Sequence, residues 1–326
     1  MALTGLGRSA MAALLAAALV APLEADADPI TFVALGDMPY NLPEDNYRFA
    51  RLIDAINHAK PAFSVHVGDI KGGGSPCTDA AFRKIYNDFA RFEAPLIYTP
   101  GDNEWTDCYR KSAGRYDPLE RLAALRKLFF PDGNSLGKIK LPMKLQSDDP
   151  NYAEFVENRR WSMDGVLFAT LHVVGSNNNL GRDNRMDEEF RSRNRATRAW
   201  LDDTYAEAVR SGAKVLVLFM QADPLLEYPF PVRTGFNDLI AALELHAGAW
   251  RKPTLLVHGD THQFYVDRPL RPVGESERLL GFVRLEVPGA STVEAVRVTI
   301  DPDLPQPFRF ALVLEDRPVD FPGDPR

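Results

Sequence analysis

The chain has 326 residues, of which 45% are hydrophobic and 25% charged, and its net charge at pH 7 is -7. This composition is typical of a folded globular protein and does not favour extensive disorder. The acidic balance gives no long-range attraction to nucleic acid or anionic lipid, so we expect a small-molecule partner and no nucleic acid.

The N-terminus has the features of an export signal. Arg8 supplies a positive charge, residues 11–20 form a short apolar run, and Ala25-Asp26-Ala27 offers a cleavage site with small residues. The apolar run is too short to span a bilayer. We therefore predict a signal peptide at 1–27, a mature chain without a transmembrane segment, and a periplasmic or secreted location. A buried N-terminal helix or an uncleaved anchor is the alternative.

Beyond residue 30 the hydrophobic spacing predicts alternating strands and helices. The chain order is a strand from 31, a helix at 44–60, a strand at 63–67, a helix at 78–92, a strand at 96–99 and a helix at 118–130. Asp164-Gly165 between the apolar runs 161–163 and 166–174 predicts a hairpin. There follow a helix at 187–211, a strand at 214–220, a helix at 234–247 that ends before Gly248, and strands at 254–258, 281–288, 292–300 and 308–314.

This order favours an α/β fold in which two mixed β-sheets pack face to face with helices outside. We expect one domain over residues 28–314. The acidic, Pro-rich segment 315–326 is predicted to be a loose tail.

Four apolar strands each run into a Gly-Asp pair, which places Asp37, Asp69, Asp102 and Asp260 at strand ends, with His262 close behind the last. The carboxyl ends of strands in an open α/β sheet are where binding sites assemble, so these side chains are expected to converge. One Gly-Asp turn alone is more often structural, because Asp caps turns and Gly supplies positive φ. Four together predict a shared site, and converging carboxylates need a cation.

The order of these loops resembles the calcineurin-like metallophosphoesterase superfamily, whose motifs run Asp-x-His, Gly-Asp, Gly-Asn-His-(Asp/Glu), a lone His after a strand, and Gly-His-x-His. Asp69 and His262 match ligand positions of these motifs. Residues that depart from the family pattern are Pro39, Asp102, Asn103, Gln221 and Asp260.

The resemblance implies one or two divalent ions, with Asp69 shared between two. The implied metal ligands are Asp37, Asp69, Asp102, Gln221, Asp260 and His262. Imidazole suits zinc, iron and copper, whereas carboxylates and amides suit magnesium, manganese and calcium. Because several His positions are replaced, we expect Mg, Mn or Ca in preference to Zn or Fe.

The catalytic residues follow from the same comparison. The family places at the position of Asn103 a His that protonates the leaving group, and an amide cannot do so at neutral pH. Glu104 and Tyr40 are the substitute acids that the sequence offers. The alternatives for these two are a capping carboxylate and a packing aromatic.

A second polar loop supplies candidates for substrate binding. Asn177, Asn178 and Arg182 follow the strand at 166–174 and could give hydrogen bonds and positive charge to a phosphate; a solvated loop is the alternative. Lys71, two residues after Asp69, could also bind an anion, or could neutralise the carboxylates in a metal-free protein.

Export allows Cys77 and Cys108 to form a disulfide. They lie in the loops after the strands of Asp69 and Asp102, which are expected to be neighbours in the sheet. Two unrelated buried thiols are the alternative, and a zinc site is disfavoured because no other His or Cys lies at close spacing.

The function favoured by the resemblance is a metal-dependent phosphoesterase that cleaves a small phosphomonoester or phosphodiester by a metal-activated hydroxide. One alternative is a catalytically weak or inactive protein of the same fold that binds an anionic ligand or an envelope partner. Another is a metal-dependent hydrolase of a different ester. The sequence leaves the oligomeric state open.

Overall fold

The computed structural model describes residues 1–2, 28–40, 43–224, 234–290 and 292–314. Residues 3–27 of the predicted signal peptide and the predicted tail at 315–326 lie outside these ranges. Across the described ranges, no helix has both the length and the apolar character needed to cross a membrane.

Twelve strands and six helices make up the described chain. The strands are β1 (Ile30–Leu35), β2 (Phe63–His66), β3 (Leu96–Tyr98), β4 (Lys144–Leu145), β5 (Arg159–Met163), β6 (Val166–Thr170), β7 (Val215–Phe219), β8 (Thr254–His258), β9 (Tyr265–Asp267), β10 (Phe282–Glu286), β11 (Glu294–Ile300) and β12 (Phe308–Leu314). The helices are α1 (Glu44–Ala59), α2 (Asp79–Phe89), α3 (Pro118–Phe129), the single turn α4 (Gly175–Asn178), α5 (Asn184–Arg210) and α6 (Asn237–Trp250).

The strands form two mixed sheets, with the orders β12-β11-β1-β2-β3 and β4-β5-β6-β7-β8-β10-β9. Strand β1 shows why its sequence is continuously apolar. Phe32 and Ala34 join the core between the sheets, whereas Val33 and Leu35 join the core under α1, α2 and α3. A strand that is buried on both faces needs apolar residues at every position.

Aromatic rings fill the space between the sheets. Phe32 stacks on Phe63 with ring centroids 5.0 Å apart, and Phe63 meets Phe168 edge to face, also at 5.0 Å. On the outer face of the second sheet, α5 and α6 bury side chains such as Trp200 and Leu243. The predicted fold class, two packed mixed sheets flanked by helices in one domain, is confirmed.

The parallel strands set the position of the site. β1, β2 and β3 are parallel neighbours in the first sheet, and β6, β7 and β8 are parallel neighbours in the second. The loops that leave their carboxyl ends carry the strand-end aspartates. The expectation that the strands before Asp69 and Asp102 pair with each other is confirmed by the pairing of β2 with β3.

Several boundaries differ from the predicted ones for physical reasons. The hairpin around Asp164-Gly165 is present, but β6 ends at Thr170 rather than 174. The bond from Leu171 N–H to Phe219 O is the last of its ladder with β7, and Val173 N–H then bonds back to Leu171 O. Gly248 lies inside α6 and does not end it. A Cβ on Gly248 would lie 3.1 Å from Pro272 Cβ, so this glycine provides space for close packing.

Cys77 and Cys108 form a disulfide with Cα atoms 5.8 Å apart, which confirms the predicted pairing. The bond ties the loop after β2 to the loop after β3.

Replacing both cysteines by Ala is expected to destabilise the protein by about 3–4 kcal/mol, because the bond closes a loop of 31 residues in the unfolded chain. Urea unfolding of the double variant and of wild type measures this loss. Equal free energies of unfolding would contradict it, and wild type treated with a reductant should reproduce the variant.

Candidate functional site

The strand-end aspartates converge at one edge of the two sheets. The backbone N–H of Asp260 donates to both carboxylate oxygens of Asp37, each at 3.2 Å. A Cβ on Gly175 would lie 2.8 Å from Asp102 Oδ2 and 2.8 Å from Asp260 Oδ1. Two carboxylate oxygens from different loops therefore border the space beside Gly175, which only a glycine leaves open.

Asp69 is held by the loop that follows β3 and by Tyr40. Its Oδ1 accepts from the backbone N–H of Asn103 at 3.1 Å, and its Oδ2 accepts from Asn103 Nδ2 at 2.7 Å and from the Tyr40 hydroxyl at 2.8 Å. Asn103 Nδ2 also lies 2.9 Å from the Tyr40 oxygen. Tyr40 and Asn103, two of the catalytic candidates, thus both contact Asp69.

The turns carry strained backbone at the aspartates themselves. Asp37, Asp69 and Asp260 have φ values of 54°, 55° and 84°, in the left-handed region that non-glycine residues rarely adopt. Such strain concentrates at functional sites. The expectation that the glycines of these turns supply the positive φ holds at Gly68 (φ 104°), whereas in the other turns the glycine provides space instead.

Two glycines show this use of space. A Cβ on Gly101 would lie 2.0 Å from Asp69 Oδ1, and a Cβ on Gly259 would lie 2.0 Å from Asp37 Oδ2. Both distances are far inside van der Waals contact, so any other residue would displace a carboxylate.

Burial and mutual repulsion make the ionised cluster unfavourable. Burial, with the nearby charge of Asp260, holds the pKa of Asp37 well above its usual range. Burial, with Asp102 and Glu104, does the same to the pKa of Asp69. Burial, with the charge of Asp102, raises the pKa of Asp260 to about 7. A full complement of negative charge at neutral pH therefore calls for bound positive charge.

Gln221 and His262 complete the predicted ligand set. Gln221 is buried, accepts from Gly175 N at 2.6 Å and donates to Asp260 Oδ1 at 3.2 Å. His262 Nε2 lies 3.6 Å from Asp37 Oδ1. The structure brings all six predicted ligands into one cluster; their roles as ligands stay predictions.

The donor chemistry of the cluster fits a hard divalent cation, because carboxylate and amide oxygens dominate and one imidazole is present. Two ligand atoms bound at about 2.0–2.6 Å to one cation can stand 3.6 Å apart, as His262 and Asp37 do. Even so, no group of three or more His, Cys, Asp and Glu side chains in the described part of the chain is arranged so that it could hold a metal ion. Protein N–H and O–H groups already donate to the oxygens of Asp37 and Asp69, so a cation would bind to lone pairs that these donors leave free or would replace some of the donors.

Glu104 lies behind the Asp69 turn. Its Oε1 accepts from Asp69 N at 3.1 Å, from Gly101 N at 2.6 Å and from the Tyr98 hydroxyl at 2.8 Å, and the side chain is fully buried. These bonds hold two site loops together. This is the role of a capping carboxylate, the alternative to an acid at this position. Its role as an acid stays a prediction.

Lys71 supplies a buried cation beside the cluster. Its ammonium donates to Asn103 O at 2.6 Å and to Gly72 O at 3.0 Å. Burial lowers the pKa of Lys71, while the charges of Glu104 and Asp69 oppose that shift. Lys71 is therefore placed to offset part of the negative charge.

The predicted substrate loop forms the turn α4, and Ser176 to Asn178 within it and Asn179 directly after it all have positive φ. Asparagine tolerates this conformation better than most residues, which explains the Asn run. Asn177 accepts from Gly235 N, and Asn178 is buried and accepts from Arg193. These contacts hold the loop in place, and the substrate-binding roles of Asn177 and Asn178 stay predictions.

Sequence reasoning missed a polar group next to Asp102. Ser176 Oγ lies 2.7 Å from Asp102 Oδ2 and 3.0 Å from Asp107 Oδ1. Arg110 Nη2 lies 2.6 Å from Asp107, and Arg182, a predicted substrate-binding residue, lies 3.7 Å from it. The close spacing of Asp107 and Arg110 after Asp102 is the sequence signal from which this polar group could have been predicted.

His66 also positions the site. Its Nδ1 accepts from Gly68 N and its Nε2 lies against Met38 O, both at 3.3 Å, so the ring joins the Asp69 turn to the Asp37 turn. Burial lowers the pKa of His66 to about 3, which keeps the ring neutral.

Replacing Tyr40 by Phe is expected to weaken metal binding and turnover roughly 10- to 100-fold, because residues that orient a ligand carboxylate contribute on that scale. Titration of the metal-free variant with Mn²⁺ measures the effect, with Tyr47→Phe on the exposed face of α1 as the matched control. Unchanged Mn²⁺ affinity and turnover would show that the Tyr40–Asp69 contact is structural.

No protein-family model matches the sequence, and no curated protein matches it either. Among solved structures it is similar to PhoD, with a TM-score of 0.57 and 14% identity over 85% of this chain, which spans 65% of the PhoD chain. It is also similar to a dimetal phosphatase from Danio rerio, with a TM-score of 0.53 and 11% identity over 88% of this chain and 99% of that one. The chain has the calcineurin-like metallophosphoesterase fold.

Proposed function

We propose that this chain is a metal-dependent phosphoesterase. The observation that carries the proposal is the convergence of four aspartates from both sheets at the loop edge, where their charges repel one another; Asp37, Asp69 and Asp102 are buried and Asp260 is half-buried. The same fold in a protein described as a dimetal phosphatase supports this assignment.

The residues that would hold one or two divalent ions are Asp37, Asp69, Asp102, Gln221, Asp260 and His262. Bound ions would neutralise the cluster and act as Lewis acids toward a phosphoryl oxygen, and the oxygen-rich donor set favours Mg, Mn or Ca.

The protein's own groups define which esters suit this site. Burial and the neighbouring charge of Asp69 hold the pKa of Tyr40 well above its usual range, so the phenol stays protonated and donates to Asp69. Asn103 uses its amide on Asp69 and Tyr40 and has no proton to give to a leaving group. We infer that the preferred substrates have alcohols that leave without protonation.

The test is metal analysis of the purified mature protein, together with hydrolysis of 4-nitrophenyl phosphate and bis(4-nitrophenyl) phosphate with added Mg²⁺, Mn²⁺, Ca²⁺ or Zn²⁺. Bound metal and turnover that a chelator removes are the expected results. The relative rates on the two esters distinguish a monoesterase from a diesterase. A folded protein with neither metal nor turnover would overturn the proposal.

A noncatalytic binding protein is the second candidate. The observations that favour it are Asn103 at the position of the acid His and Lys71 as a buried cation beside the carboxylates. This candidate predicts that the folded protein needs no metal. A hydrolase of another ester remains the third, and a panel of carboxylic and sulfate esters in the same assay would identify it.

We also propose that the protein is exported. The Arg8 charge, the apolar run at 11–20 and the small residues at 25 and 27 support it, and a disulfide is compatible with an oxidising compartment. N-terminal sequencing of protein from that compartment should start near Asp28, and a start at Met1 or Ala2 would contradict cleavage.

A further inference from the structure

A cavity of about 230 Å³ lies between the Asp69 loop and the N-terminal parts of α1 and α2. Its walls are mostly apolar. The residues that line it include Pro39, Ile70, Lys71, Ala81 and Ile85. An apolar cavity of about 150 Å³ is large enough to bind benzene, so this one can hold a substituted aromatic ring.

The cavity shares a wall with the aspartate cluster. Pro39 lies between Asp37 and Tyr40 in sequence, and Ile70 and Lys71 directly follow Asp69. The Lys71 ammonium bonds to Asn103 O, and Asn103 in turn bonds to Asp69, so the cavity wall and the cluster are joined through one residue. The cavity therefore lies next to the cluster, with Ile70 and Lys71 in its wall directly after Asp69.

We infer that this cavity binds the alcohol part of the ester substrate, and that this part is an aromatic or compact apolar group. The inference rests on the proposed function, because the aspartate cluster must bind the phosphoryl group. It also agrees with the lack of an acid at Asn103, since aromatic alcohols leave more readily than alkyl alcohols.

Phenol is the probe for the cavity itself, because its binding needs no turnover. Ala81 lines the cavity on α2, while Ala80, the residue before it, is exposed on the same helix. Ala81→Leu should fill the cavity and abolish phenol binding measured by calorimetry, and Ala80→Leu should leave it unchanged.

Kinetics then connect the cavity to the reaction. Ala81→Leu is expected to lower kcat/KM for 4-nitrophenyl phosphate at least 10-fold and to leave kcat/KM for acetyl phosphate unchanged, because acetyl phosphate has a good leaving group but no ring. An equal loss on both substrates would overturn the inference, and so would phenol binding that survives in Ala81→Leu. Phenol binding without turnover of either substrate would instead count against the proposed function alone.

Discussion

Replacing Asp69 with Asn is expected to abolish most metal-dependent turnover of an aryl phosphate, with a loss of at least roughly 10²- to 10³-fold. The negative charges of Asp102, Asp37 and Asp260 all act on the carboxylate of Asp69. In the resembled family its counterpart is shared by both ions. Loss of this one charge therefore affects every cation that the cluster can hold.

The matched control is Asp54→Asn, which makes the same chemical change on the exposed face of α1, where Asp54 pairs with Arg91. Activity and metal content should stay at wild-type levels in the control and fall together in Asp69→Asn. If Asp69→Asn kept its turnover while folded, Asp69 would not be a metal ligand and the phosphoesterase proposal would fail.

The metal-free protein is expected to become less stable as the pH rises from about 4 to about 7. The pKa of Asp260 rises from its ordinary value of 3.8 to about 7 in the folded state. Between these values the folded chain holds a proton that the unfolded chain has released, so raising the pH removes this stabilisation. Asp37 and Asp69 shift in the same direction and add to the effect.

Thermal unfolding at pH 5 and pH 8 measures this dependence, and we expect a fall in Tm on the order of 5 °C. Saturating Mn²⁺ or Ca²⁺ should reverse it at pH 8, because a cation takes over the role of the protons. A Tm that responds neither to pH nor to cation would indicate that Lys71 and the protein hydrogen bonds already neutralise the cluster.

The fold was predictable from the sequence because several local patterns indicated the same architecture. Apolar strands, helical spacing and the Asp164-Gly165 turn all agreed with one architecture, and agreement between local signals makes a fold predictable. Short elements were missed for the opposite reason. The three residues of β9, of which Val266 is exposed, carry no alternating pattern of useful length.

The site was predictable only as far as chain order allowed. Glycine-aspartate turns at strand ends indicated where Asp37, Asp69, Asp102 and Asp260 would meet. The direction of each side chain was not predictable, because it depends on contacts between distant loops. Glu104 turns toward backbone amides behind the site, and Ser176 joins Asp102 to Asp107 across more than 60 residues of chain.

The glycines at positions 101 and 259 limit how this protein can change. A Cβ atom at either position would lie 2.0 Å from a carboxylate oxygen of Asp69 or Asp37. An alanine there would therefore displace a site aspartate. A mutant library that randomises these turns would therefore consist mainly of members with displaced site aspartates. The cavity positions Ala81 and Ile85 do not carry this constraint.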